Sequence, residues 1–288
     1  MLKSLALLSL TVAPGAYAWG ALGHETVAYV ASSFVSDKTK TYCQDILGDT
    51  TTSYLANVAS WADTYRSTAA GAFSSDFHYI DAEDNPPSSC GVDYDRDCGD
   101  SGCVVSAINN YTARIQDTSL SADQTNQALK FIVHFLGDIH QPLHDEELDI
   151  GGNSIDVLFN SKKTNLHSVW DTAMIAKLTG GDSISLAKTL GNTLATSIRS
   201  GSYKSMAASW LDGMDISDPV ASSLIWAQDA NAYVCSTVIP DGVSAVENME
   251  LDGAYYNKAI PVIQLQLAKA GYRLAAWLEL IATGAIHV

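Results

Sequence analysis

The chain has 288 residues, 47% of them hydrophobic, which is near the upper limit for a single core. Its formal charge of −16 speaks against a polyanionic partner, because nucleic-acid binders are usually basic. Bound divalent metals, or work at a pH near the calculated pI of about 4.5, would reverse that expectation.

In chain order, residues 1–18 come first. Lys3, the apolar run Leu5 to Val12 and the small-x-small ending Ala16-Tyr17-Ala18 predict a secretory signal peptide and extracellular localisation. Cleavage there removes Lys3 and makes Trp19 the new N-terminus, five residues before His24. A free α-amino group titrates at about 7.7–8.0, so it can act as a nitrogen ligand and chelate a metal together with its own carbonyl oxygen.

A helix is predicted around Ser53 to Arg66 from the stripe Leu55, Val58, Ala59 and Ala62, with Asp63 beside it. A long polar loop follows between Asp81 and Cys103, carrying Asn85-Pro86-Pro87 and three cysteines. Asn110-Tyr111-Thr112 is a glycosylation sequon, in keeping with secretion. Ala128 to His140 is apolar nearly all round, as a buried central helix should be, and Pro142 should end it and turn His144 in a new direction. Gly151-Gly152-Asn153 followed by the run Ser154 to Phe159 predicts a small hairpin. Further helices are expected over Leu166 to Leu178, Leu186 to Ile198 and Pro219 to Thr237, with Pro219 at the first helical position. The apolar stretch Pro261 to Val288 is broken by Lys269, Arg273 and Glu279, which suits a buried helix better than a membrane span. No linker, repeat or low-complexity tract divides the chain. The expected fold class is all-α with a small β-hairpin, in a single catalytic domain over residues 19–288.

Five cysteines fit an oxidising compartment. Cys98 and Cys103 lie close enough to pair, Cys90 and Cys235 could tie the loop to the C-terminal half, and Cys43 would be left as a buried thiol. Sequence alone leaves other connectivities open.

The chemistry lies in the spacing of histidines and aspartates. His134 and Asp138 are four apart, as are His167 and Asp171, so each pair shares one helix face. An unpaired buried carboxylate costs several kcal/mol. Only 16 Lys and Arg exist in the whole chain, and none lies within helical reach of Asp138. One such pair is well explained by a structural hydrogen bond. Two pairs, together with Asp63, His78, His144 and Trp19-x-x-x-x-His24, point to metal. Imidazole and carboxylate without thiolate fit hydrolytic zinc, and so many ligands suggest two or three ions. His140 is expected to be structural and His287 solvated. Asp93-Tyr94-Asp95-Arg96-Asp97 opens like a calcium loop but lacks the sixth-position Gly and the terminal Glu, so it is rejected.

Trp19-Gly20 through His24, Trp61-Ala62-Asp63, His78-Tyr79-Ile80-Asp81, His134 through His144 and His167 through Asp171 together resemble the fungal single-strand-specific zinc nucleases, the S-one and P-one nucleases. The resemblance runs from Trp19 to about Ala282. It implies a helical fold shared with bacterial zinc phospholipase C and three zinc ions. Asp63, His78, His134 and Asp138 would hold the buried ion. The amine and carbonyl of Trp19, with His24 and Asp138, would hold its neighbour, and His144, His167 and Asp171 the third. It also implies the disulfides Cys90–Cys235 and Cys98–Cys103.

By the same resemblance, a hydroxide between the two close zincs attacks phosphorus in line while the third ion stabilises the departing 3′-oxygen. Asp63 and Asp138 belong to that catalytic set. Arg66, where some relatives carry Lys, is one turn beyond Asp63 and would stabilise the phosphoryl oxygens. A base would stack on Tyr79 while Asp81 hydrogen-bonds its edge, which favours unpaired strands. The expected substrates are single-stranded DNA and RNA and 3′-nucleotides, cut to 5′-phosphorylated products by a monomer with an acidic pH optimum and no membrane partner. Two rivals stand beside this reading. One is a zinc phospholipase C of the same fold, and the other is a secreted metal-capturing protein without catalysis. Tyr79, Asp81 and the cysteine-rich loop favour nucleic acid over lipid, and Arg66 beside the ligands argues against metal capture.

Overall fold

The computed structural model describes residues 19–288; the expected signal peptide lies outside the described residues. Among the described residues the α-helices of six residues or more are α1 (Ala21–Ser32), α2 (Asp37–Leu47), α3 (Trp61–Arg66), α4 (Val104–Gln116), α5 (Ala122–Asp138), α6 (Met174–Thr179), α7 (Ile184–Ser200), α8 (Pro219–Tyr233) and α9 (Ala254–Thr283). Among the described residues a single antiparallel hairpin pairs β1 (Asp156–Phe159) with β2 (Lys162–Asn165), with Asp156 opposite Asn165 and Phe159 opposite Lys162. The all-α class with a small hairpin is borne out.

Local chemistry explains the strongest boundaries. Ser36 caps α2 by accepting from the Thr39 N–H, and Ser121 and Gln124 form a reciprocal capping box at the start of α5. Asp218 caps α8, whose first residue Pro219 loses nothing by lacking an N–H. Helix α5 stops at Asp138, and Pro142–Asp145 form a separate 3₁₀ turn that redirects His144.

The helices pack around one hydrophobic cluster that includes Trp19, Trp170, Trp226 and Trp277, all fully buried or nearly so. Helix α1 lies between α7 and α9 and also touches α5; α4 packs along α5 and α8. The crossing of α1 with α9 depends on Gly271, where an added Cβ would come within 2.4 Å of the Val30 Cβ. Among the described residues no helix is long and apolar enough to cross a membrane.

Four expectations need correction. The helix around Ser53 to Arg66 is broken: a 3₁₀ turn at Ala56–Val58 is separated from α3 by Ser60, at φ −99° and ψ 10°. Asp63 therefore does not share a helix with Ala59. The break has a use, since the Ala59 carbonyl accepts from His134 Nδ1 at 2.7 Å instead of continuing a helical ladder. The helix over Leu166 to Leu178 passes through a π turn at Val169–Ala173, and the one beginning at Pro219 through another at Val234–Val238. The polar loop between Asp81 and Cys103 contains a helical turn, Tyr94–Asp97, capped by Asp93. Asp93 accepts from the N–H groups of Asp95 and Arg96, and the buried Asp97 is engaged by Arg96, so this segment is no calcium loop.

The pairings Cys90–Cys235 and Cys98–Cys103 are both present, and Cys43 is free and buried, with burial pushing its thiol up to about 12.

Candidate metal centre

Six segments bring eight of the expected ligands to buried positions. Helix α1 carries His24, α3 carries Asp63, the 3₁₀ turn Ala72–His78 ends in His78, and α5 carries His134 and Asp138 one turn apart. The turn after α5 supplies His144, and the segment leading into α6 supplies His167 and Asp171, again one turn apart.

Asp138 sits at the middle. Its Oδ1 is 3.2 Å from His24 Nε2, and its Oδ2 is 3.0 Å from His78 Nδ1 and 3.2 Å from His134 Nε2. Asp63 Oδ1 faces the same nitrogens, 3.6 Å from His134 Nε2 and 3.8 Å from His78 Nδ1, with Arg66 Nη2 at 3.3 Å on its other side. A separate trio has His167 Nε2 3.1 Å and His144 Nε2 3.8 Å from the two Asp171 oxygens. The donor atoms therefore fall into three buried groups: His24–His134–Asp138, Asp63–His78–His134 and His144–His167–Asp171. The third group is the set expected from sequence; in the other two the shared residue is His134, where the expectation had Asp138 shared and Trp19 beside His24.

The chemistry of these atoms fits divalent metal. With Zn–N and Zn–O bonds of 2.0–2.2 Å, tetrahedral ligand atoms sit about 3.3–3.6 Å apart, close to the separations here. Both ring nitrogens of His24, Asp63 Oδ1, Asp138 Oδ1, His144 Nε2 and His167 Nε2 are buried without a hydrogen-bond partner among the described residues. Buried polar atoms are normally satisfied, so a cluster of orphans aimed at common points is the signature of a cation.

The surrounding protein sets the tautomers. Nδ1 of His134, His144 and His167 donates to the carbonyls of Ala59, His78 and Gly151 at 2.7, 2.8 and 2.7 Å. Each Nε2 is thereby turned toward the carboxylates. Burial pushes His78 down to about 4 against the pull of Asp138, and burial with His167 pushes His144 down to about 3. Both stay neutral, the form that binds metal. Burial works against the proton of His134, but Asp138 and Asp63 outweigh it and hold the group up to about 9. Burial alone would neutralise Asp138; His134, with the imidazole nitrogens of His24 and His78 close by, holds it well below the usual carboxylate range.

A cleft of about 310 Å³ opens beside the trio, lined by Arg66, Tyr79, Asp81, His144, Glu147, Asn153 and His167. Tyr79 is half-buried, and its hydroxyl donates to Asp76 at 3.0 Å. Asp81 stands at the rim. Desolvation by the protein around it, then repulsion from Glu147, Asp76, Asp97 and Glu83, pushes its carboxyl up to about 6. The Trp19 side chain is fully buried with its Cβ against Gly23 in the first turn of α1. Asn110 is exposed on α4, while Thr112 of its sequon is buried and accepts from Trp277 Nε1 at 3.0 Å.

His140 is structural, as expected. It donates to the Leu136 carbonyl at 2.7 Å and accepts from Arg273 at 2.9 Å, and burial and that guanidinium keep it neutral. His287 is exposed.

Sequence reasoning missed three supporting residues. Gly137 leaves room for His24, since an added Cβ would lie 2.6 Å from its Nδ1. Gln141 donates to Asp171 Oδ1 at 2.6 Å while accepting from the Leu143 N–H. Asp145 is buried with both oxygens unpartnered; burial, followed by Asp138 and Glu146, raises it well above the usual range. The adjacent Gly137 and Gln141 in the motif were a signal; the burial of Asp145 had none. A fourth grouping, Asp84–Cys90–Glu146, includes a disulfide sulfur and is no metal site.

Comparison with known proteins agrees with this geometry. The family model described as S1/P1 Nuclease matches residues 19–283. Nuclease S1 of Aspergillus oryzae is 58% identical over 280 residues, 97% of this chain and 96% of that protein. Nuclease P1 of Penicillium citrinum is 52% identical over 261 residues, covering 91% and 97%. Endonuclease 3 of Arabidopsis thaliana is 31% identical over 277 residues, covering 93% and 90%. On the match across nearly the whole described chain, this protein belongs to the S1/P1 nuclease family.

Proposed function

We propose that this chain is a secreted, monomeric hydrolase that holds three zinc ions and cuts single-stranded DNA and RNA, and 3′-nucleotides, to 5′-phosphorylated products. As a member of a nuclease family it is an endonuclease acting on phosphodiester bonds. The observation that carries the finer reading is the convergence of orphaned, buried His and Asp atoms on three groups, two of them sharing His134.

Asp63, His78, His134 and Asp138 would hold one ion. His24 and Asp138, with the amine and carbonyl of Trp19, would hold a second, and His144, His167 and Asp171 a third. Bound there, the ions would supply a water whose pKa is lowered to about 7 and Lewis-acid stabilisation of the departing 3′-oxygen. The protein's own groups do the rest. Arg66, oriented by Asp63, presents its guanidinium to the cleft, where it offsets charge on the phosphoryl oxygens in the transition state. Tyr79 offers a ring to an unstacked base and Asp81 accepts hydrogen bonds from that base's edge. A paired base keeps its edge occupied and its faces stacked, so duplex is disfavoured.

The acidic surface suits this reading, because the ions confine positive charge to the cleft while the rest of the molecule repels phosphate. The test is cleavage of matched single-stranded and duplex DNA at about pH 5, below the reference His pKa. It is run with native, chelator-stripped and zinc-restored protein, beside phosphatidylcholine as the rival substrate. Single-strand cleavage lost on stripping and regained with zinc supports the assignment; turnover of lipid alone replaces it with the phospholipase reading.

A further inference from the structure

A run of aromatic side chains lies one helical turn from the metal ligands and takes no part in holding them. Trp61 and Tyr65 stack on α3 with centroids 4.3 Å apart and planes 19° from parallel. Phe73 meets Tyr65 edge-on at 6.4 Å and Phe77 edge-on at 6.0 Å. Tyr65 and Phe131 also meet, so the run is anchored on α5. Phe73 is 56% exposed, which is unusual for a phenylalanine, and no ring among the described residues stacks parallel to it.

Lys130 completes the face. Its ammonium lies 5.1 Å from the Trp61 ring centroid, so a ring and not a carboxylate holds it. Lys130, His134 and Asp138 follow one another at four-residue intervals on α5, so the ammonium emerges on the same side of that helix as the ligands, about 6 Å of helix rise before His134. The elements bearing the rings continue directly into the site. Tyr65 precedes Arg66 on α3, and the 3₁₀ turn that carries Phe73 and Phe77 ends in His78. Elsewhere the chain carries a large negative excess. An exposed aromatic ring, joined through half-buried rings to a cation held by no carboxylate among the described residues, is the chemistry that receives a base together with its phosphate.

We propose that Phe73 and Lys130 form an additional subsite for the single-stranded substrate, in which a base flanking the scissile phosphodiester stacks on Phe73 while Lys130 takes a backbone phosphate. The proposal rests on the nuclease reading and extends it from one bound nucleotide to a length of strand. Neither residue touches the reacting atoms, so the subsite acts through substrate affinity.

The experiment compares a deoxydinucleotide, which fills only the cleft, with a single-stranded nonamer, using wild type, Phe73→Ala, Phe73→Trp and Lys130→Gln. The expected result is a KM for the nonamer raised about tenfold by Phe73→Ala and restored by Phe73→Trp, with kcat unchanged and the dinucleotide unaffected. Lys130→Gln should reduce the dependence of log affinity on log salt by about 0.7. Equal effects on both substrates would show that Phe73 merely supports the cleft, and no effect on either would show that the strand runs elsewhere; each overturns the subsite. Wild type that cleaves neither substrate overturns the nuclease reading itself, and the subsite with it, before any variant is made.

Discussion

The imidazole of His144 donates from Nδ1 to the backbone carbonyl of His78 at 2.8 Å, and two residues on, Ile80 N–H donates to the carbonyl of His144 at the same distance. A residue of the outer trio is thus fastened to the peptide that carries a residue of the inner groups. The outer and inner candidate ion sites share backbone.

His144→Ala should therefore cost more than one ligand. One ion is expected to be lost, and the chelator resistance of the remaining ions to fall by roughly tenfold, as when an outer-shell partner is removed. Native mass spectrometry counts the ions; three retained ions would refute the coupling and the ligand role together.

Gly137→Ala changes no ligand and adds one methyl group. That methyl would meet His24 at 2.6 Å, a contact only displacement of the ring relieves. Helicity by far-UV circular dichroism should be unchanged, while affinity for the ion sharing His24 and Asp138 falls about 10–100-fold.

Arg66→Ala should lower kcat by about 10²–10³ and leave the metal content intact, since the guanidinium faces developing charge and is not itself a ligand. Arg66→Lys should recover part of the loss by keeping the charge without the fork. Loss of metal in Arg66→Ala would mean that the arginine serves only to hold Asp63.

Asp81 predicts a pH effect with a definite sign. With its carboxyl pushed up to about 6, Asp81 is neutral below that value and ionised above it. Ionisation places a negative charge beside incoming phosphate, so KM should rise as pH increases through about 6, and Asp81→Asn should flatten that step. The linked effect on folding runs the same way. A carboxyl raised above its unfolded value favours the folded state at low pH and loses that contribution as pH rises from about 4 to about 6. Comparison with Asp81→Asn separates this step from protonation of the metal ligands, which both proteins share.

The two disulfides should differ in what they contribute. Cys90–Cys235 closes 145 residues and Cys98–Cys103 only 5. Because loop closure restricts the unfolded chain more for longer loops, replacing the first pair by Ala should lower unfolding free energy by about 2–5 kcal/mol and the second by less. Urea unfolding of the two double variants, with Cys43 alkylated once exposed, measures the difference.

Much of the metal centre was legible because helical spacing is local information. His134–Asp138 and His167–Asp171 needed only the 3.6-residue period to be placed on shared faces, and Pro142 sufficed to detach His144 from α5. The broken helix before Asp63 was not legible, because Ser60 departs from helix to let a carbonyl reach His134, 75 residues away.

By itself the sequence determined the ligand types, their helical pairing, the all-α class and the family, since these depend on residues close in the chain or on their order along it. Only the tertiary structure decided that Asp138 faces three imidazoles at once, that His134 serves two groups, that Asp145 is buried without partners, and that Phe73 stands exposed beside the ladder leading to Lys130. The reason is physical: which side chains share an ion or a surface is settled where separate helices pack, and packing joins residues whose separation along the chain has no period to reveal it.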